Sequence, residues 1–325
     1  MEAAFVWISV PAISTIGSIA VAAITALVTA LASAPLRYLV DSRLLRAKAK
    51  TDFEYEERSK LRAEVGAYHG RLLEAAITLN YRLFNLGKWW KKGWLHVHGD
   101  YARPLTEGDY YFPTTVYRFM AFMSLANRFE RAAIFIDSRF AEDNDQLFVF
   151  YIKALRWVLT DVALFDGLAY DMSKPTDHFF TDQFRRMCAS FLTDDGDTLD
   201  LRSVEQQLLA EEHELGTVLA FFDGMEPGPL RWDRLMSFQL LLMGFINTFG
   251  YEMQRSDRDR FDRVAGQIQR PQVAANMQRW LPKLGLGADS VGEMLSLTFA
   301  QRAAAAHQGP EATTAQVSDR AEPQA

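Results

Sequence analysis

One cysteine, Cys188, in 325 residues gives the chain no means to form an internal disulfide and too few thiols for a zinc cluster. A lone thiol agrees with a reducing compartment. Histidine is scarce too, at six. None of the six has Glu three residues before it, which removes the Glu-x-x-His pairs of di-iron bundles. There is no Gly-rich phosphate loop ending in Lys-Ser/Thr, no Gly-x-Ser-x-Gly and no His-Glu-x-x-His, so the common ATPase, hydrolase and metalloprotease templates are excluded. Gly285, Gly287 and Gly292 have the wrong spacing, and no preceding strand, for a dinucleotide fingerprint. Alternating strand pattern is missing throughout, which makes the expected class all-α.

The most consequential absence is local. Residues 3–36 contain no Asp, Glu, Lys, Arg or His, and 12–34 contain no proline. At ~1.5 Å rise per residue, 12–34 form a helix of about 35 Å, enough to cross a hydrocarbon core of roughly 30 Å. This predicts a single N-terminal transmembrane helix and makes the lipid bilayer the first expected partner. Ala32-Ser33-Ala34 has the small-residue pattern of a signal-peptide cleavage site. However, Glu2 stands where that class of leader carries Lys or Arg, the apolar run is too long, and Pro35 follows the site, so an uncleaved signal-anchor is expected. Arg37, Arg43, Arg46, Lys48 and Lys50 follow, against Asp41. By the positive-inside rule this flank is cytoplasmic and the N-terminus lies outside.

The faces of the span differ. Ile13, Ile16, Val21, Ile24, Leu27, Val28 and Leu31 share an arc of about 140°. Ser14, Ser18, Ala22, Ala26, Ala30 and Ala34 form a small-residue face of the kind that lets helices approach closely, predicting self-association into a homo-oligomer. A run so rich in small residues also produces such a register by composition alone.

Beyond the anchor (1–36) and a basic juxtamembrane segment (37–52), a helical bundle is expected over 53–306, with an internal boundary near 193–202 or 223–230, and a disordered tail over 307–325. Hydrophobic residues make up 49% and charged residues 23%, the balance of a globular body. A net charge of −6 argues against nucleic acid as the main partner. Thr51-Asp52-Phe53-Glu54 fits a capping box, predicting a helix break there; without it, one helix continues into the body. Leu61, Val65, Tyr68, Leu72, Ala76, Leu79, Leu83 and Leu86 then define a strongly amphipathic helix ended by Gly87.

A long loop is expected over 87–113. It carries Lys88-Trp89-Trp90-Lys91-Lys92-Gly93-Trp94, a cluster suited to a lipid interface, a peptide groove or stacked bases, or alternatively to closing the end of the bundle. Trp89, Trp90, Lys91, Lys92 and Trp94 are the candidate interaction patch for an unidentified protein partner. Further helices are expected from Pro113 to Arg139, from Asp143 to Asp166, from Asp177 (with Thr176 as N-cap) to Leu192, from Ser203 to Phe222, from Pro271 to Leu281 and from Ser290 to Ala306. The 17 uncharged residues of 235–251 are near the lower limit for a second span, but Gln239 and Asn247 favour a buried core helix.

Polar residues on faces expected to be buried are the candidates for chemistry: His69, Asn80, Asn127, Glu130, Asp161, His178 and Asp182. An ionised carboxylate buried alone costs several kcal/mol, so the acids must be paired, protonated or beside water. On one reading His69, Glu130, Asp161, His178 and Asp182 converge on a pocket for acid/base chemistry or a metal. On the other, Glu130 and Asp161 pair with arginines such as Arg118 and Arg156 to fix helix register, and Asp177 stabilises a helix N-terminus. His96-x-His98 is a weaker candidate for metal binding. No cofactor is indicated. The expected function is a membrane-anchored, cytoplasm-facing binding, scaffold or sensor protein; the alternative is a membrane-tethered enzyme or small-molecule sensor with a buried His/carboxylate pocket.

Overall fold

The computed structural model describes residues 12–134, 136–137, 139, 141–173, 177–209, 215–287 and 289–304; within 12–41, side chains are described for 20–28 and Tyr38. The expected tail over 307–325 and the Thr176 cap lie outside these residues. The chain divides into two compact units, Met1–Glu57 and Arg58–Ala325.

Helix α1 spans Ala12–Trp89 without interruption, so the capping box at Thr51 does not form. The Thr51 hydroxyl instead donates to the carbonyl of Ala47 at 3.0 Å, a bond made inside a helix rather than at its start. The surrounding Arg, Ala, Lys and Glu are good helix formers, which lets the helix run through. In the first unit, Val21, Ile24, Leu27 and Val28 are all exposed. Among the described residues no helix is long and apolar enough to cross a membrane. Most side chains of the predicted span lie outside that set.

In the second unit the amphipathic face of α1 is where its periodicity puts it: Leu61, Leu72, Ala76, Leu79, Leu83 and Leu86 are buried. The helix does not stop at Gly87. A Cβ there would sit 2.4 Å from the Gln267 side chain, so this glycine serves a close approach rather than a turn. The turn falls at Gly93, which has φ of 67° and closes a short 3-10 helix, Trp90–Lys92. The expected loop is therefore broken up by that turn and by α2 (Arg103–Thr106). It is also pinned. The Asp223 carboxylate accepts the backbone amides of Val97, His98 and Gly99 at 3.0, 3.0 and 2.7 Å.

The remaining helices are α3 (Tyr111–Ala133), α4 (Asp143–Thr160), α5 (Thr181–Ser190), α6 (Leu201–Leu208), α7 (Gly216–Phe222), α8 (Leu230–Phe249), α9 (Arg258–Ala265), α10 (Pro271–Trp280) and α11 (Ser290–Ala304). Among the described residues there is no strand, only one antiparallel bridge between Leu192 and Thr198, and the unit is an all-α multi-helix bundle. Two buried helices organise it. α3 packs against α4, α5, α6 and α7, and its Phe119 ring meets those of Phe179, Phe184, Phe221, Phe222 and Phe238. α8 packs against α4, α9, α10 and α11.

Every residue of α8 from Trp232 to Asn247 is buried. The apolar run is thus core from 235 to 247; the helix ends at Phe249, and Tyr251 beyond it is exposed. Of the polar groups of the helix, Asn247 exchanges hydrogen bonds of 2.8 and 2.7 Å with the backbone of Ser256, and Gln239 donates from Nε2 to Asn80 at 3.4 Å while its Oε1 has no partner among the described residues. At Gly244 the helices come close, because a Cβ there would lie 2.7 Å from Leu295 of α11 and 3.2 Å from the Tyr151 ring of α4. Gly244→Val should therefore destabilise the bundle by about 1–3 kcal/mol through overpacking. Urea unfolding should show a lower midpoint at unchanged slope; an unaltered midpoint would mean that α8, α4 and α11 do not meet this tightly.

Candidate functional site

The five predicted site residues lie in separate surroundings. His69 on α1 stacks on Phe148 at 6.0 Å and meets Phe249 edge-on at 6.2 Å, in an aromatic setting. Glu130 on α3 accepts a 2.8 Å hydrogen bond from Nη2 of Arg156 on α4, the register-fixing pair considered above. Asp182 is exposed in the first turn of α5. Only Asp161 and His178 are drawn together, and the residue that joins them is Arg234.

Arg234 enters α8 one position before its apolar run and is wholly buried. Its Nη1 donates to the carbonyls of Val158 and Asp161, and its Nη2 to that of Asp161 at 3.1 Å. Val158 lies in the last turn of α4, where its carbonyl has no amide partner, and Asp161 is the residue at which α4 gives way to the 3-10 helix Val162–Phe165, so the guanidinium caps the C-terminal end of α4 from another element. The cation also lies 4.5 Å from the centroid of the Phe165 ring and bonds the Tyr170 hydroxyl. Burial pushes this guanidinium down to about 10. Tyr170 in turn hydrogen-bonds Nδ1 of the buried His178.

Asp161 contributes its backbone carbonyl to Arg234. Its carboxylate is engaged elsewhere, accepting the Ala163 amide at 2.8 Å as N-cap of a 3-10 helix, Val162–Phe165. Asp177 likewise accepts the amide of Arg231 at 3.1 Å, near the start of α8. The two acids nearest His178 in this cluster thus terminate helices. Arg118, considered as a partner for the acids, donates to the Thr78 carbonyl at 3.2 Å.

The Trp/Lys cluster is divided by the turn at Gly93. Trp94 lies against Tyr111 with centroids 4.2 Å apart, and Trp90 is half-buried against the core. Trp89 is 44% exposed, with Lys88 4.9 Å from its ring; Lys91 stands 5.5 Å from the Trp90 ring. His96 lies 3.7 Å from Glu226 and meets His98 edge-on. Among the described residues no group of three or more His, Cys, Asp or Glu is arranged to hold a metal. Cys188 is buried, which pushes its thiol up to about 12.

Arg234 and Tyr170 were not among the residues singled out from sequence. The available signal was an Asp233-Arg234 pair at the head of the most apolar internal segment, where charge is costly unless paired. Asp233 is buried as well and accepts the amides of Gln269 and Arg270 at 2.6 and 3.2 Å, with Nη1 of Arg270 at 2.9 Å. Arg234→Met takes the guanidinium donors from the carbonyls of Val158 and Asp161 and leaves that of Val158 with none, at about 1–3 kcal/mol. Asp161→Asn keeps both the carbonyl and a competent cap, so its cost should stay within about 1 kcal/mol. Chemical denaturation of the two variants checks this ordering, and an Asp161→Asn variant less stable than Arg234→Met would refute the capping role. Compared with known proteins, the chain matches no family model, no curated protein and no solved structure.

Proposed function

We propose that this chain is a membrane-tethered, cytoplasm-facing helical binding protein, acting as a scaffold or sensor, which self-associates through its N-terminal helix. The observation that carries the reading is the continuity of α1. The uncharged run over 12–34 begins the same unbroken helix whose later turns, Leu61 to Leu86, enter the core of the bundle. Val21, Ile24, Leu27 and Val28, each 58–65% exposed, present the branched apolar surface that a bilayer would cover. Ala22 and Ala26, also exposed, belong to the small-residue face that would meet a second copy. The cations after the run set its direction by the positive-inside rule.

Full-length protein is expected in the membrane fraction after alkaline carbonate extraction, and a chain starting at Arg37 in the soluble fraction. Recovery of the full-length chain as a soluble protein would end the anchor reading. Topology can be read from Met253→Cys, because Met253 is 87% exposed while the native Cys188 is buried. An impermeant maleimide should label this variant only after lysis; labelling in intact cells would put the bundle on the other side of the membrane.

A further inference from the structure

The end of α3, the middle of α4 and the first turns of α5 enclose a groove of about 270 Å³. Its floor is apolar and made of core residues: Phe129, Val149 and Ile152 are almost fully buried, and Ala133 adjoins them. Its rim is cationic, with Lys153, Arg156 and Arg185 around it and Glu130 the one acid in the lining. Glu130 is already committed to Arg156. Lys153 and Arg185 are exposed and have no carboxylate within ion-pair distance among the described residues. A second hollow, of about 400 Å³, shares Glu130, Ile134 and Arg185 with the first and adds Asn127 and Arg131. Arg131 is exposed and, among the described residues, also lacks a carboxylate partner. Ile134, 67% exposed, forms the lip common to both.

This is an unusual concentration of one sign on a chain of net charge −6. Lys153 and Arg185 beside the apolar floor, with Arg131 in the adjoining hollow, leave a cationic excess once Glu130 is paired with Arg156; this attracts an anion, and arginine presents the fork that matches carboxylate or phosphate oxygens. An anion with no apolar part would leave the floor in contact with water. A neutral apolar ligand would leave the rim unmatched. A nucleic acid would use the cations but not the floor, and would meet the repulsion of an acidic protein. The size is that of a small-molecule site.

We propose that this groove binds a single-chain amphiphilic anion, its hydrocarbon tail on Phe129, Val149 and Ile152 and its carboxylate or phosphate head at Arg185, which the groove shares with the adjoining hollow, with Lys153 on the groove side and Arg131 on the other. The site is independent of the anchor and of the Arg234 cluster.

The test is calorimetric titration of the full-length chain in phosphatidylcholine nanodiscs with octanoate, octyl phosphate, octan-1-ol and octylammonium, with empty nanodiscs as the reference. One anion should saturate one site per chain, at least about tenfold more tightly than the alcohol or the ammonium. A preference for octanoate would identify a carboxylate ligand, and one for octyl phosphate a phospholipid-type head. Affinity should rise a few-fold per methylene between hexanoate and octanoate, as expected for tail burial. The Arg131→Gln/Arg185→Gln double variant should lose about tenfold in affinity or more while its melting curve is unchanged, since both side chains are exposed. Equal affinity for octan-1-ol, absence of saturable binding, or indifference to the double substitution would overturn the proposal. So would binding that appears only when residues 305–325 are removed, which would make the chain's own tail the occupant.

Discussion

A guanidinium buried without a carboxylate is the constraint on which the bundle depends. Arg234 cannot be hydrated and must find acceptors in the protein. It finds them in the carbonyls of Val158 and Asp161 at the C-terminal end of α4. Both Nη groups are satisfied there while Nε has no partner among the described residues, and a shift of either helix along the other would break these bonds in an apolar interior. The same residue places its charge against the Phe165 ring and its donors against Tyr170, which holds His178. A single side chain thereby sets the register of α8 on α4 and, through Tyr170, reaches His178.

The neighbouring acid works in the same way at the other end of a helix. Asp233 accepts two backbone amides around the start of α10 together with Arg270, and Asp223 accepts three amides of the loop after α1. Burial raises the Asp233 carboxyl above its ordinary range even so, because desolvation outweighs these donors. Such polar connections between helices supply direction that the phenylalanine-rich core cannot. Rings such as Phe119, Phe148 and Phe245 gain much the same by burial in many relative orientations. Close approach at Gly244 then removes the slack between α4, α8 and α11.

Function is proposed at two levels that do not depend on each other. The anchor reading comes from the charge-free start of α1. The ligand reading comes from cations gathered on separate helices around an apolar floor. In a protein of this charge, an anionic amphiphile would meet a local field opposite in sign to that of the whole chain, which favours selectivity over general adhesion.

The sequence by itself determined the class, most of the longer helices and their faces, but not α2, α9 or the division of 203–222 into α6 and α7. The 3.6-residue period of Leu61 to Leu86, the apolar surfaces of α3 and the burial of 235–247 follow from side-chain spacing along one helix, which is local information. It also identified Glu130 and Arg156 as possible partners, since both are long charged residues on largely apolar faces. Only the tertiary structure decided which polar residues meet. His69, Glu130, Asp161, His178 and Asp182 have equivalent standing on a helical wheel, yet only Asp161 and His178 come together, because the packing of one helix on another is set by many contacts at once. Arg234, Tyr170 and the groove cations Arg131, Lys153 and Arg185 became legible only there. A buried cation's acceptors, and a groove's rim, are properties of several elements held together, and no spacing along one element encodes them.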